Sequence, residues 1–146
     1  MTLYFEDLSP GQTFTSRAET LDEAAIIAFA RAFDPQPFHT DSEAAKDSFF
    51  GGLAASGWHT ASLTMRLIVD SVTLAGGVVG AGVEIAWTKP VRPGDALYAV
   101  SEVLELNASR SKPDRGMAVV RTETRNQRGE VVQVITSKLV VIRRPA

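Results

Sequence analysis

The chain predicts an α+β fold, an antiparallel sheet packed against one buried helix. Three observations lead to it. The stretch from Trp58 to about Leu74 is apolar or small on nearly every side, with Arg66 and Asp70 as its only clear charges, the pattern of a helix wrapped by other elements. Four β-rich runs follow, at roughly 78–88, 96–108, 117–126 and 130–143. The joints between these runs are short, and short joints favour antiparallel neighbours.

The elements can be justified in order. Residues 3 to 20 alternate weakly around the turn Ser9-Pro10-Gly11 and supply one short strand. In TLDEAAIIAFARAF, Thr20 and Glu23 form the pattern of a capping box. Ile26, Ile27, Phe29, Ala30 and Phe33 follow at helical spacing. Pro35 biases Asp34 away from the α region, so this helix ends at about Asp34, and Pro37 restricts Gln36 in the same way. Thr40 with Glu43 is a second capping-box signal and opens a short helix, TDSEAAKDSF. Gly51 and Gly52 then break the chain, and Ser56 is the N-cap of the long apolar helix, on which Arg66 and Asp70 pair at i and i+4. In DALYAVSEVLELNAS, Tyr98, Val100, Leu104 and Leu106 share one face, with Glu102 as an exception. In EVVQVITSKLVVIRR, Ile135, Leu139 and Val141 share one face, and Val132, Val134, Val140 and Ile142 the other. KPVRPGD carries a Pro-Gly turn, SKPDRG a loop and NQRG a tight hairpin.

Composition bounds the function. A length of 146 residues is one domain, 1–146, with a core of its own. A net charge of −2 with no basic block argues against nucleic acid or an anionic membrane surface as partner. The absence of cysteine excludes disulfides, thiolate metal sites and thiol nucleophiles. MTLYFEDLSPGQTF has neither a basic n-region nor an apolar h-region, and no tract reads as a membrane span, so a soluble cytoplasmic protein is expected.

The chemistry concentrates in FARAFDPQPFHTD, residues 29 to 41. One of only 2 histidines stands five residues after Asp34, and two prolines stiffen the backbone between them. A carboxylate and an imidazole held side by side can activate a water and move a second proton. Asp-Pro and Gln-Pro are also ordinary turn dipeptides, so on spacing alone a polar loop remains open beside the catalytic reading. The histidines and carboxylates show no metal-ligand spacing.

This segment resembles the signature of the MaoC-like dehydratases and (R)-specific enoyl-CoA hydratases, a hot-dog-fold family. Their pattern is an aromatic-containing helix followed by Asp, any residue, Asn, Pro, any residue, His. Asp34, Pro37 and His39 match it; Gln36 stands for the Asn, and Phe33 for the Gly that often precedes the Asp. ASGWHT and KPVRPGD are similar to the family's entry into the central helix and its approach to the next strand, so the resemblance spans nearly the whole chain. It implies a sheet wrapped around the central helix, and Asp34 and His39 as catalytic residues.

Gly57 lies at the start of that helix, where free N–H groups and a partial positive charge collect. It allows close approach of a thioester carbonyl, or it simply ends a turn. The resemblance favours the first and makes Gly57 an oxyanion donor. Gln36, Ser56, Trp58 and His59 are the candidate substrate-contacting residues, Trp58 as pocket wall, with a structural role for His59 the plainer reading. Lys89 and Arg92 are read as an ordinary solvated loop.

The expected function is hydration of enoyl thioesters or dehydration of 3-hydroxyacyl thioesters. It requires no cofactor, since CoA or an acyl carrier is part of the substrate. A homodimer or larger homo-oligomer, joined edge to edge through the sheets, is expected with it. An acyl-CoA thioesterase of the same fold and a non-catalytic acyl-thioester-binding subunit remain the alternatives.

Overall fold

The computed structural model describes residues 1–146. A 3-10 turn at Phe5–Asp7 leads into two short strands, β1 (Thr13–Thr15) and β2 (Glu19–Thr20). Helices α1 (Glu23–Phe33), α2 (Pro37–Thr40), α3 (Ser42–Ala45) and α4 (Gly57–Ser71) follow. Strands β3 (Val79–Trp87), β4 (Ala96–Ala108), β5 (Arg115–Arg125) and β6 (Val131–Ile142) complete the chain. The main sheet runs β1-β4-β5-β6-β3 with antiparallel neighbours throughout, and β2 adds to β4. The expected α+β architecture, an antiparallel sheet against a central helix, is therefore present.

Both expected capping boxes are replaced by aspartate caps one or two residues later. Thr20 is drawn into β2 opposite Ala96, so the first free side chain is Asp22, which accepts from the Ala25 N–H at 2.8 Å. Thr40 belongs to α2, where its hydroxyl donates to the Gln36 carbonyl. Asp41 caps α3 instead, accepting from Glu43 and Ala44. Ser56 does cap α4, and Arg66 does pair with Asp70, at 3.2 Å.

The structure settles which face of β4 turns inward and corrects one further expectation. The inward face of β4 is Leu97, Ala99, Ser101 and Val103, and Glu102 lies on the outer face with Tyr98 and Val100. Small residues face inward because α4 lies close above them. Nor is α4 wrapped on all sides within one chain. Thr60, Leu63, Thr64, Leu67 and Ile68 are buried, while Trp58, Met65 and Val69 are exposed on the flank nearest the edge strand β3.

The core has two parts. Leu21, Ile26, Leu53, Leu63, Leu67, Leu97 and Val132 pack under the first half of α4, and Leu8, Ile68, Val72, Val103, Leu139 and Val141 under its second half. Leu67 has no exposed surface. Leu67→Ala is expected to lower the unfolding free energy by about 3 kcal/mol, the usual cost of a buried leucine cavity, read from the urea midpoint at unchanged slope.

Candidate active site

The two prolines shape the Asp34–His39 segment as their geometry requires. Asp34 ends α1, and a three-residue turn across Pro35 lets the Gln36 N–H donate to the Asp34 carbonyl at 2.8 Å. Gln36 is extended, as a residue before proline must be, and Pro37 opens α2. His39 thus stands on a helical turn rather than in a loop, 5% exposed.

The ring of His39 is fixed by residue 54. The Phe38 carbonyl accepts from the Ala54 N–H, and the Ala54 carbonyl lies 2.6 Å from His39 Nδ1. A carbonyl only accepts, so Nδ1 carries a proton, and the neutral ring offers its lone pair at Nε2. Nε2 lies 3.4 Å from Asp34 Oδ2.

Asp34 is the hub. Its Oδ1 accepts from Gln36 Nε2 at 2.5 Å, and its Oδ2 from the Ser56 hydroxyl at 2.7 Å. Burial acts to raise its pKa, but the hydrogen bonds from Gln36 and Ser56 outweigh it, holding the carboxyl below the usual aspartate value. Gln36 and Ser56, both candidate substrate contacts, are placed on this carboxylate.

Ser56 also organises the start of α4. Its hydroxyl accepts from the Trp58 N–H and its carbonyl from the His59 and Thr60 N–H groups. The Gly57 N–H is the one donor of the first turn that finds no acceptor in the chain. Asp34, His39, Gly57, Trp58, Phe49 and Trp87 are among the residues lining a cleft of about 380 Å³. His59 is turned away from it, stacked on Phe29 with ring centroids 4.6 Å apart and Nδ1 buried without a partner. Burial holds its pKa below the usual histidine value, so the ring is neutral near pH 7.

In the loop after β3, Lys89 is paired with Glu130 and lines the cleft, while the Arg92 guanidinium donates to the carbonyls of Phe50, Gly52 and Leu53. Trp87 escapes sequence reasoning altogether. Its indole N–H donates to the Gly57 carbonyl at 3.0 Å and to Gln133 Oε1 at 2.9 Å, bonds across 30 and 46 residues that no local pattern announces.

Beside the cleft, a second and more apolar cavity of about 450 Å³ follows α4 along β3. Thr60 and Trp87 line the cleft, and the next lining residues along each element, Ala61 and Ile85, line the cavity. No group of three or more His, Asp or Glu side chains comes together to hold a metal ion, and no helix is long and apolar enough to cross a membrane.

Comparison with known proteins places this geometry. The profile of a family described as MaoC like domain matches residues 7–127. The chain is 31% identical over 140 residues to the uncharacterized protein YdeM of Bacillus subtilis, covering 94% of this chain and 96% of that one. Among solved structures it is similar to a MaoC-like dehydratase from Rhodospirillum rubrum, with a TM-score of 0.96, 55% identity and 99% of both chains covered. It is also similar to the (R)-hydratase of A. caviae involved in PHA biosynthesis, with a TM-score of 0.73, 26% identity, and 96% of this chain and 99% of that chain covered.

The Asp34 network sets a pH dependence. A carboxyl with a depressed folded-state pKa contributes stability above its unfolded value, and that contribution is lost as pH falls through the folded one. The melting-temperature difference between the wild type and Asp34→Asn is therefore expected to be constant near neutrality and to shrink below about pH 4, read by thermal scans at stepped pH.

Proposed function

This chain belongs to the MaoC-like domain family, and on that premise we propose that it adds water to the double bond of a 2-enoyl thioester, or removes it from a 3-hydroxyacyl thioester. One observation carries the reading: the Asp34 carboxylate and His39 Nε2 lie 3.4 Å apart in a cleft whose wall holds the one uncommitted N–H of the α4 N-terminus.

The steps follow from the hydrogen bonds. A water in the cleft donates one hydrogen to the Asp34 carboxylate and the other to His39 Nε2. Its oxygen attacks Cβ while Nε2 takes a proton, and the double-bond electrons move to Cα and the thioester oxygen. The Gly57 N–H donates to that enolate oxygen, with the partial positive charge of α4 behind it. The imidazolium, flanked by Asp34 and the Ala54 carbonyl, then gives its proton to Cα. One hydrogen and one hydroxyl have been added, and His39 is neutral again. Run backwards, the same steps remove water. Asp34 remains ionised and orients the water and the ring, in keeping with its depressed pKa.

In this reading the cleft takes the thioester head, with CoA or an acyl carrier still attached and extending out of it, and the neighbouring apolar cavity takes the acyl tail. A second copy is part of the proposal. Strand β3 is a nine-residue open edge with Val79 and Val83 52% and 60% exposed, beside the bare flank of α4. Pairing β3 with β3 of another copy satisfies that edge and covers both surfaces.

Purified protein mixed with short and medium enoyl-CoA thioesters is expected to remove the conjugated-thioester absorbance without releasing thiol. Asp34→Asn should lower the rate by at least about 100-fold. Thiol release would identify a thioesterase, and no change with any chain length would leave a binding subunit. Ala61→Phe, which fills the mouth of the apolar cavity, is expected to shift preference to shorter chains, read as the ratio of kcat/KM values across the series. Val83→Lys is expected to yield monomers in sedimentation where the wild type gives dimers.

A further inference from the structure

Trp87 lies over the Cα of Gly57 so closely that a Cβ there would come within 2.5 Å of the indole. The glycine is thus required by the tryptophan, whatever the substrate needs. The indole in turn belongs to a polar row across the sheet. Trp87 on β3 stands opposite Gln133 on β6, which stands opposite Thr124 on β5, and Gln133 and Thr124 have no exposed surface.

Every proton in the row can be assigned. Gln133 Oε1 accepts from the indole, so its Nε2 is the donor to Thr64 and Thr124, at 3.0 and 3.1 Å. The Thr64 hydroxyl donates to the Thr60 carbonyl at 2.7 Å, which leaves Thr124 as the donor in the 2.7 Å Thr64–Thr124 bond. The network closes with no hydroxyl or amide group left over. It grips the first two turns of α4 at Gly57, Thr60 and Thr64.

We propose that Trp87 and Gln133 are positioning residues that set the Gly57 peptide against the reacting thioester, an inference that rests on the hydratase reading above. Trp87 touches Gly57 from the β3 side, and Ser56–Asp34 holds the same helix end from the other. Neither Gln133 nor Thr124 lines the cleft, so Gln133 acts through Trp87 and the helix.

The test uses W87F, which keeps an aromatic ring on Gly57 and removes the donor, and Q133M, which keeps the volume and removes the amide. The Gly57 donor acts on charge that develops only in the transition state, so each variant is expected to lose about tenfold in kcat with KM within about twofold. The double variant should lose no more than either single one, because both break one chain of bonds. Losses confined to KM, losses that multiply, or an unchanged kcat would overturn the proposal. Amide and indole NMR decides it independently of turnover. The chain has 2 tryptophans, so the Trp87 indole N–H is assignable as the resonance lost in W87F. It should move in Q133M, and the Gly57 amide should move in both variants. A Gly57 amide unmoved by W87F overturns the positioning role, even if Q133M does not fold. A wild type that hydrates no enoyl thioester would instead sink the hydratase reading and leave this geometric result standing.

Discussion

The hydrogen bond from the Ser56 hydroxyl to Asp34 joins parts of the chain 22 residues apart, and the rest of the site depends on it. The same hydroxyl accepts the Trp58 N–H, so one fully buried side chain fixes both the first turn of α4 and the orientation of the carboxylate. Because a buried hydroxyl is costly to leave unpaired, neither partner can drift without exposing the other to that penalty. The Asp34–His39 pair and the helix end are therefore tied into one unit.

Around this bond the chain is tied by its backbone more than by side-chain charge. Ala54 pairs with Phe38 and His39 on one side, and the Ala55 N–H donates to the Val91 carbonyl on the other. Arg92 closes the loop with a cation placed among three carbonyl oxygens and no carboxylate. A guanidinium suits that place because its fixed fork of donors serves several acceptors at once. Turn 34–39, loop 50–55 and loop 89–95 thus form one hydrogen-bonded frame around the Asp34–His39 pair.

What was legible in the sequence is what has a local cause. The bend between Asp34 and His39 could be read because prolines act on their own neighbours, and the end of α1 followed from Pro35. The Ser56 cap, the Arg66–Asp70 pair and the runs of β4 and β6 have equally local signals. The helix caps at Asp22 and Asp41 were missed because a strand pairing and a helical turn claim the neighbouring threonines. Which face of β4 turns inward is not legible because both are apolar enough to alternate, and only the approach of α4 selects Ala99 and Ser101 as the inner set. Trp87 and Gln133 were invisible for the same reason, since their meaning lies across the sheet. The apolar circumference of α4 was read as burial within the chain, yet one flank is bare beside β3.

The two departures from the family pattern have separable physical consequences. Phe33, where a glycine is common, points outward at 74% exposure and packs on Phe29 with ring centroids 5.2 Å apart. A large residue there takes no room from the cleft. Gln36 is one methylene longer than the asparagine it replaces, and its amide reaches back to Asp34 Oδ1. That bond adds a second neutral donor to the carboxylate and reinforces its ionised form. It also occupies a position on Oδ1 and leaves Oδ2 as the oxygen that faces His39. Each carboxylate oxygen therefore carries one neutral donor, Gln36 on Oδ1 and Ser56 on Oδ2, and only Oδ2 also faces the imidazole.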